Sequence, residues 1–213
     1  MRILYMDCFL GFDASMLLGA LIDAGANPQQ IEGKLNDCGI KVTLTVKNTL
    51  RSSIECKKAV IRAENEESTT RAMQNELVKR VAAKYEPTDG TDAVTMLAVI
   101  CAIELLDIEY ILCSDVSLGE GTDGEVLMLL ERAGIETLPS DGTSKNMETS
   151  DAAFLTGITN ESGPKPNMQI LAIGYGAGGV NPDEPNIINA IIGEFGAEEL
   201  FGSAEREELI MSL

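Results

Sequence analysis

The 213-residue chain sets 16 lysines and arginines against 34 aspartates and glutamates, a net charge of −18, with 45% hydrophobic residues: enough for a buried core, and too acidic along its length to seek nucleic acid or an anionic membrane surface. It contains no histidine, which removes Ser-His-Asp triads, Cys-His pairs, HExxH zinc centres and facial-triad iron centres together and leaves carboxylates, thiols, lysine, tyrosine and the backbone for any chemistry. Five cysteines, odd in number and without a CxxC pair, read as free thiols of a reducing compartment.

"RILYMD" (2–7) reads as a buried strand, followed by a loop over Cys8–Asp13 and an apolar helix from about Ala14 to Ala24. Asn27-Pro28 supplies an N-cap and a first-turn proline for a second helix to about Asn36. "IKVTLTVKNT" and much of "IECKKAVIRA" alternate with period two, predicting an antiparallel pair joined near Thr49–Ser52. A polar helix over Ser68–Lys84, a break at Glu86–Gly90 and a very apolar helix over 92–106 come next, then "YILCSDVSL" as one strand. The remainder reads as a helix near 123–133, a turn at Ser140-Asp141-Gly142, a helix near 150–158, strands near 168–175 and 186–192, and an acidic amphipathic helix over Ala197–Ser212.

Strands and helices without a regular βαβ rhythm predict an α+β protein, mixed sheets packed with helices in two lobes, 1–118 and 119–213, divided at "GEGTDG". The apolar stretch Val94–Leu106 is interrupted by Thr95 and Glu104 and too short for a bilayer of about 30 Å, and Arg2 precedes only four apolar residues before Asp7. A cytoplasmic protein is expected.

Four stretches are candidates for chemistry. "AIGYGAGGVNPDEPNII" has the glycine spacing of a dinucleotide loop at Gly174, Gly176 and Gly179, but Pro182 and Pro185 leave no room for the helix that must follow, at roughly 3 kcal/mol for each proline inside it. Asp7 and Cys8 at a strand end, with Asp13 and Ser15 at a helix start, stand where free N–H groups bind anions and where a thiol can be activated. The plainer reading is a helix capped by Asp13 with Cys8 as a small core residue. Glu86, Asp89 and Asp92 offer oxygen ligands to a hard cation without matching an EF-hand, and Asp92 also suits helix capping. Cys8, Cys101 and Cys113 could serve a soft metal only if they converge.

Taken in order, these stretches resemble the LarC family of nickel-insertion proteins, which mature the nickel-pincer nucleotide cofactor of lactate racemase. The opening carries the resemblance most strongly, with Asp7-Cys8-Phe9, Gly11 and Met16-Leu17-Leu18-Gly19-Ala20-Leu21 in place. "DAVTMLAVICAIELLDIEYILCSDVSLGEG" is similar to the family's central apolar helix, strand and Leu-Gly-x-Gly turn (Leu118, Gly119, Gly121), and "IGYGAG" followed by Pro185-Asn186 to its glycine segment. The resemblance implies that Gly174 and Gly176 belong to a strand packed closely on other backbone, and that the chain corresponds to the N-terminal portion of longer members, without the part to which CTP and metal binding is assigned.

The polar motifs depart from the family. Its Ser-Gly-Asp-Met is here Asp13-Ala14-Ser15-Met16, and its His-Glu-x-Gly is Glu86-Pro87-Thr88-Asp89, with Asp92 as a retained acid. Its Cys-Ala-His-Gly is replaced by Thr122-Asp123-Gly124-Glu125, and its Thr-Pro-Thr-Gly-Ala-Ala by Glu148-Thr149-Ser150-Asp151-Ala152-Ala153. Asn189 stands near the place of an expected arginine.

The expectation is therefore a shortened relative that keeps the fold and a small-molecule, nucleotide or partner site, with Asp7, Cys8, Asp13, Ser15, Gly174 and Gly176 as ligand-binding candidates. Nickel enters by resemblance only, with Asp7, Cys8 and Asp92 as the metal candidates. The alternatives are an active metal-inserting enzyme using Cys8 and Asp7, and a scaffold that forms a homo-oligomer.

Overall fold

The computed structural model describes residues 1–81, 90–139, 146–179 and 186–194. The turn at 140–142, Glu86 and Asp89, the two prolines of the glycine stretch and the C-terminal amphipathic helix lie outside them.

The first strand, β1 (Arg2–Asp7), alternates: Leu4 and Met6 point to one face and Ile3 and Tyr5 to the other, all four buried. Helix α1 (Ala14–Asp23) follows with Asp13 as its N-cap, and α2 (Pro28–Asp37) with Asn27 as cap and Pro28 in its first turn. The period-two segments form the hairpin β2 (Val42–Arg51) and β3 (Ile54–Ala63), paired from Val42–Ala63 to Arg51–Ile54. Ser52 and Ser53 make its two-residue turn at φ +45° and +70°, the left-handed pair whose twist matches that of the strands.

The polar helix is two helices, α3 (Glu66–Met73) and α4 (Glu76–Val81). Asn75 separates them because its side-chain oxygen accepts from the Leu77 amide and starts a new helix. Helix α5 (Gly90–Leu105) is apolar nearly all round and accordingly buried, packed against α1, α2, α3 and β3.

The segment 110–118 is not one strand. β4 (Tyr110–Cys113) runs parallel to β1, whereas β5 (Val116–Leu118) pairs in parallel with β6 (Thr137–Pro139) across helix α6 (Gly124–Arg132) as a separate small sheet. The exchange occurs at Ser114-Asp115: the Ser114 amide still donates to Met6 O, but the Val116 amide donates to Glu136 O. Helix α7 (Thr149–Ile158), the two-residue β7 (Glu161–Ser162), β8 (Gln169–Ala177) and β9 (Ile187–Glu194) complete the described elements.

The main sheet has seven strands in the order β2-β3-β8-β9-β1-β4-β7, with parallel and antiparallel pairs mixed, so the class is α+β. Residues 118 and 119 do not divide that sheet: β8 and β9, from late in the chain, sit between β3 and β1, and the sheet is continuous because backbone donors on both sides of them find partners. α1 and α5 cover one face, forming the principal core with Leu4, Met6, Ala59, Ile61, Ile188, Ala190 and Ile192. The opposite face holds two smaller apolar clusters, Ile3–Tyr5–Leu112–Ile191 and Cys56–Ala177–Ile187, to which no described helix contributes. No helix among the described residues is long and apolar enough to cross a membrane.

Candidate functional site

The loop between β1 and α1 separates two environments, and the candidate residues divide between them. On the helix side, Asp13 Oδ1 accepts from the Met16 amide at 2.7 Å and from Ser15 Oγ at 2.6 Å. A second carboxylate arrives from α7: Asp151 Oδ1 accepts from the Ala14 amide at 2.9 Å. An α-helix begins with amides that lack intrahelical partners, and such amides are the donors a phosphate would use. At α1 two of them are held by the protein's own carboxylates.

Asp92, in the first turn of α5, and Glu148, the N-cap residue of α7, complete this acidic group. Burial pushes the Asp151 carboxyl well above the ordinary carboxylate range; the charge of Asp13 adds to the rise, the Ala14 amide opposes it, and Asp92 and Glu148 raise it further. Asp151 is thereby biased toward its neutral form in the fold.

Gly174 and Gly176 support α1 from below. A Cβ at Gly174 would strike Ala20 O and the Ala24 amide, and one at Gly176 would strike Met16 O and Ala20 N. Gly19 repays the approach, since a Cβ there would lie 2.5 Å from Lys57 O. The helix thus rests directly on β8 and β3, and the face that side chains at 174 and 176 would occupy is filled by helix backbone.

Cys8 faces the same core, is fully buried, and donates its amide to Ser114 Oγ at 2.8 Å. Burial first, then the neighbouring Cys113 and Asp7, raises its thiol pKa well above the usual range. Burial likewise raises Cys56 and Cys113, and takes Cys101 to about 11 with Glu104 adding to the effect. Cys38 alone of the five is exposed, and all five are free. With Ellman's reagent at pH 8 the native protein should therefore show one fast-reacting thiol, removed by Cys38→Ser, and five in denaturant. A second fast thiol would contradict the burial described.

Asp7 belongs to the other side. Its register partner on β9 is Asn189, whose partner on β8 is Tyr175, so the three form a row across the face that α1 does not cover. With Phe9, Leu10 and Ile187 they line a pocket of about 290 Å³. Asp7 Oδ1 accepts from the Phe9 amide at 3.2 Å, while Asn189 Oδ1 is buried without a hydrogen-bond partner. Asp7 and Cys8, adjacent in sequence, consequently serve different faces, and Asp92 stands with the acids at the start of α1. Among the described residues no three carboxylates or thiols are arranged to hold a metal ion.

Asp151, Tyr175 and Asn189 were not singled out as site residues from the sequence. For Tyr175 a signal existed: if Gly174 and Gly176 must face a helix, strand alternation turns Tyr175 outward. Asp151 had none, because its partner Ala14 lies 137 positions away.

A mixed α+β sheet with a β1–α1 loop at its centre and a glycine strand beneath α1 defines the class, and comparison with known proteins defines the family. The family model described as "Nickel insertion protein" matches residues 4–89 and 88–211. The chain belongs to that family. It is 24% identical to a pyridinium-3,5-bisthiocarboxylic acid mononucleotide nickel insertion protein of Geobacillus kaustophilus, over 91% of this chain and 60% of the relative. It is 23% identical to a protein of the same description from Thermotoga petrophila, over 98% and 64%, and 26% to one from Staphylococcus epidermidis, over 89% and 59%. The chain thus spans about 60% of the length of these curated relatives. No solved structure matches it.

Proposed function

We propose that this protein keeps the fold of a nickel-insertion protein without chelating nickel through its own side chains, and retains a small-molecule site beside the β1–α1 loop. The observation that carries the reading is the employment of Asp13 and Asp151 as caps of α1. They stand where the resemblance would put polar motifs, and their hydrogen bonds serve the helix. Two further facts support it. Nickel prefers imidazole and thiolate donors, and the chain has no histidine. Desolvation raises the pKa of the buried Cys8 and Cys113 and of the half-buried Cys101, which opposes metal binding because a metal-bound thiol has to surrender its proton.

Calorimetric titration of the untagged full chain with Ni²⁺ at pH 7.5 tests this. The expected result is no stoichiometric binding in the micromolar range, unchanged by Cys8→Ser. Stoichiometric micromolar uptake that disappears in Cys8→Ser would overturn the proposal in favour of a thiolate-based metal enzyme.

A further inference from the structure

Positive charge gathers in one place on this acidic chain. Residues 41–62, the β2–β3 hairpin and its approach, carry six of the 16 lysines and arginines, Lys41, Lys47, Arg51, Lys57, Lys58 and Arg62, against the single acid Glu55. Strand alternation sorts them. Ala59 and Ile61 face the principal core under α1, so Lys58, Val60 and Arg62 stand on the opposite, open face of β3. On that face Lys47 of β2 lies directly across from Lys58, and Thr43 across from Arg62. Lys57, on the α1 side, pairs with Asp23, and the Arg51 guanidinium donates to Thr49 Oγ1 and to the carbonyls of Leu50, Gly178 and Gly179. Lys47 and Arg62 are exposed and form no ion pair among the described residues, and Lys58 reaches the carbonyl of Gly179. Glu64, just past β3, accepts from Thr43 Oγ1. Like charges set directly opposite each other destabilise a strand pair, so this face favours a negative partner.

The face is apolar as well as basic. Val60 is 36% exposed, and so, at 44%, is Ile173 of β8, which alternation turns to the same side because Gly174 faces α1. A small anion would leave these side chains in water, and the net charge of −18 repels a free polyanion. The chain itself carries a segment of matching chemistry. Residues 195–213, which lie outside the described residues, contain five glutamates and one arginine, with Ala197, Leu200, Phe201 and Ala204 at the spacing of one helical face. The segment starts next to Glu194, at the end of β9, and β9, β8, β3 and β2 are successive strands, so about 14 Å of sheet separates that start from β2. Nineteen residues reach that far even as a helix, at about 1.5 Å for each residue. Tethering also gives the segment an effective concentration of about millimolar, ahead of an acidic chain arriving from solution.

We propose that residues 197–212 fold back as an amphipathic helix onto the open face of the β2–β3 hairpin, with the apolar stripe on Val60 and Ile173 and the glutamates against Lys47, Lys58 and Arg62.

Zero-length carbodiimide coupling of the full chain, which joins a lysine Nζ to a carboxylate only where the two are in contact, tests the docking. In low-salt buffer, mass spectrometry of the monomer band should find Lys47 and Lys58 joined to glutamates of 198–208, and should not find Lys34 of α2 or Lys79 of α4 joined to them. Arg62→Glu reverses a charge on the face without touching either reacting group and should lower this coupling about fivefold or more, whereas Arg62→Lys should preserve it. Raising salt to about 0.5 M should lower it as well, because exposed charges are then screened. Thermal melts report whether each variant is folded. The proposal is overturned if Lys47 and Lys58 do not couple to the segment, if Lys34 and Lys79 couple to it equally, if the products form only between two chains, or if folded Arg62→Glu couples like the parent.

Discussion

Gly176→Ala should destabilise the protein by about 3 kcal/mol or more, a fall in Tm of roughly 6–12 °C for a chain of this size. The added methyl would collide with Met16 O and Ala20 N, both of which are backbone atoms of α1. Side-chain crowding can be relieved by a rotamer change, but a clash with a helix backbone requires the helix to lift from the sheet. α1 packs on β3, β8 and β9 and against α5, so lifting it opens the principal core. Gly33→Ala is the control: it lies within α2, nothing comes within 4 Å of the position its Cβ would take, and helix propensity alone should stabilise by up to about 1 kcal/mol. Thermal melts of the two variants beside the parent decide the matter. An unchanged Tm for Gly176→Ala would mean that α1 does not rest on β8 as described.

That prediction depends on a glycine pattern readable in the chain, and it shows what kind of information sequence carries. Two prolines after Gly179 ruled out a nucleotide loop, and close packing was the remaining use for Gly174 and Gly176; the structure supplies the packing partner, α1. Elements whose signal is local were legible in this way. The run Arg2–Asp7, the alternation of β2 and β3, the cap at Asp13 and the Asn27-Pro28 pair each specify structure within a few residues. What was not legible depends on distant partners. Nothing near 110–118 marks Ser114-Asp115 as the point where a strand leaves one sheet for another, because the choice is made by Met6 O and Glu136 O. β6 and β7 are too short to display a period. The insertion of β8 and β9 between β3 and β1 is a property of sheet order alone. The site divided for the same reason: Asp7 and Cys8 are neighbours in the chain, and only the placement of α1 on one face of the sheet reveals that they serve different surroundings.

Asp151→Asn should make the protein more stable at pH 8, by about 1 kcal/mol or more, and leave it nearly unchanged near pH 4. The carboxyl is largely buried and faces Asp13 from the start of α1, Asp92 from α5 and Glu148 from its own helix, all of one sign, with the Ala14 amide as its opposing donor. Its pKa in the fold is therefore above its unfolded value of about 3.8. Folding favours the protonated form, so its contribution to stability is complete below the unfolded pKa and is lost as pH rises through the folded one. Asparagine retains an acceptor for the Ala14 amide at nearly the same shape and carries no charge to bury, so it removes the high-pH loss while preserving the cap. Asp151→Ala separates the two contributions, since it discards the charge and the acceptor together and leaves an amide of α1 without its partner; it should be less stable than Asp151→Asn at both pH values. Denaturant titrations of the parent and both variants at pH 4 and pH 8 supply the comparison. If the parent exceeds Asp151→Asn in stability at pH 8, the ionised carboxylate is held by a favourable partner, and the acidic group at the start of α1 is a place where positive charge is bound.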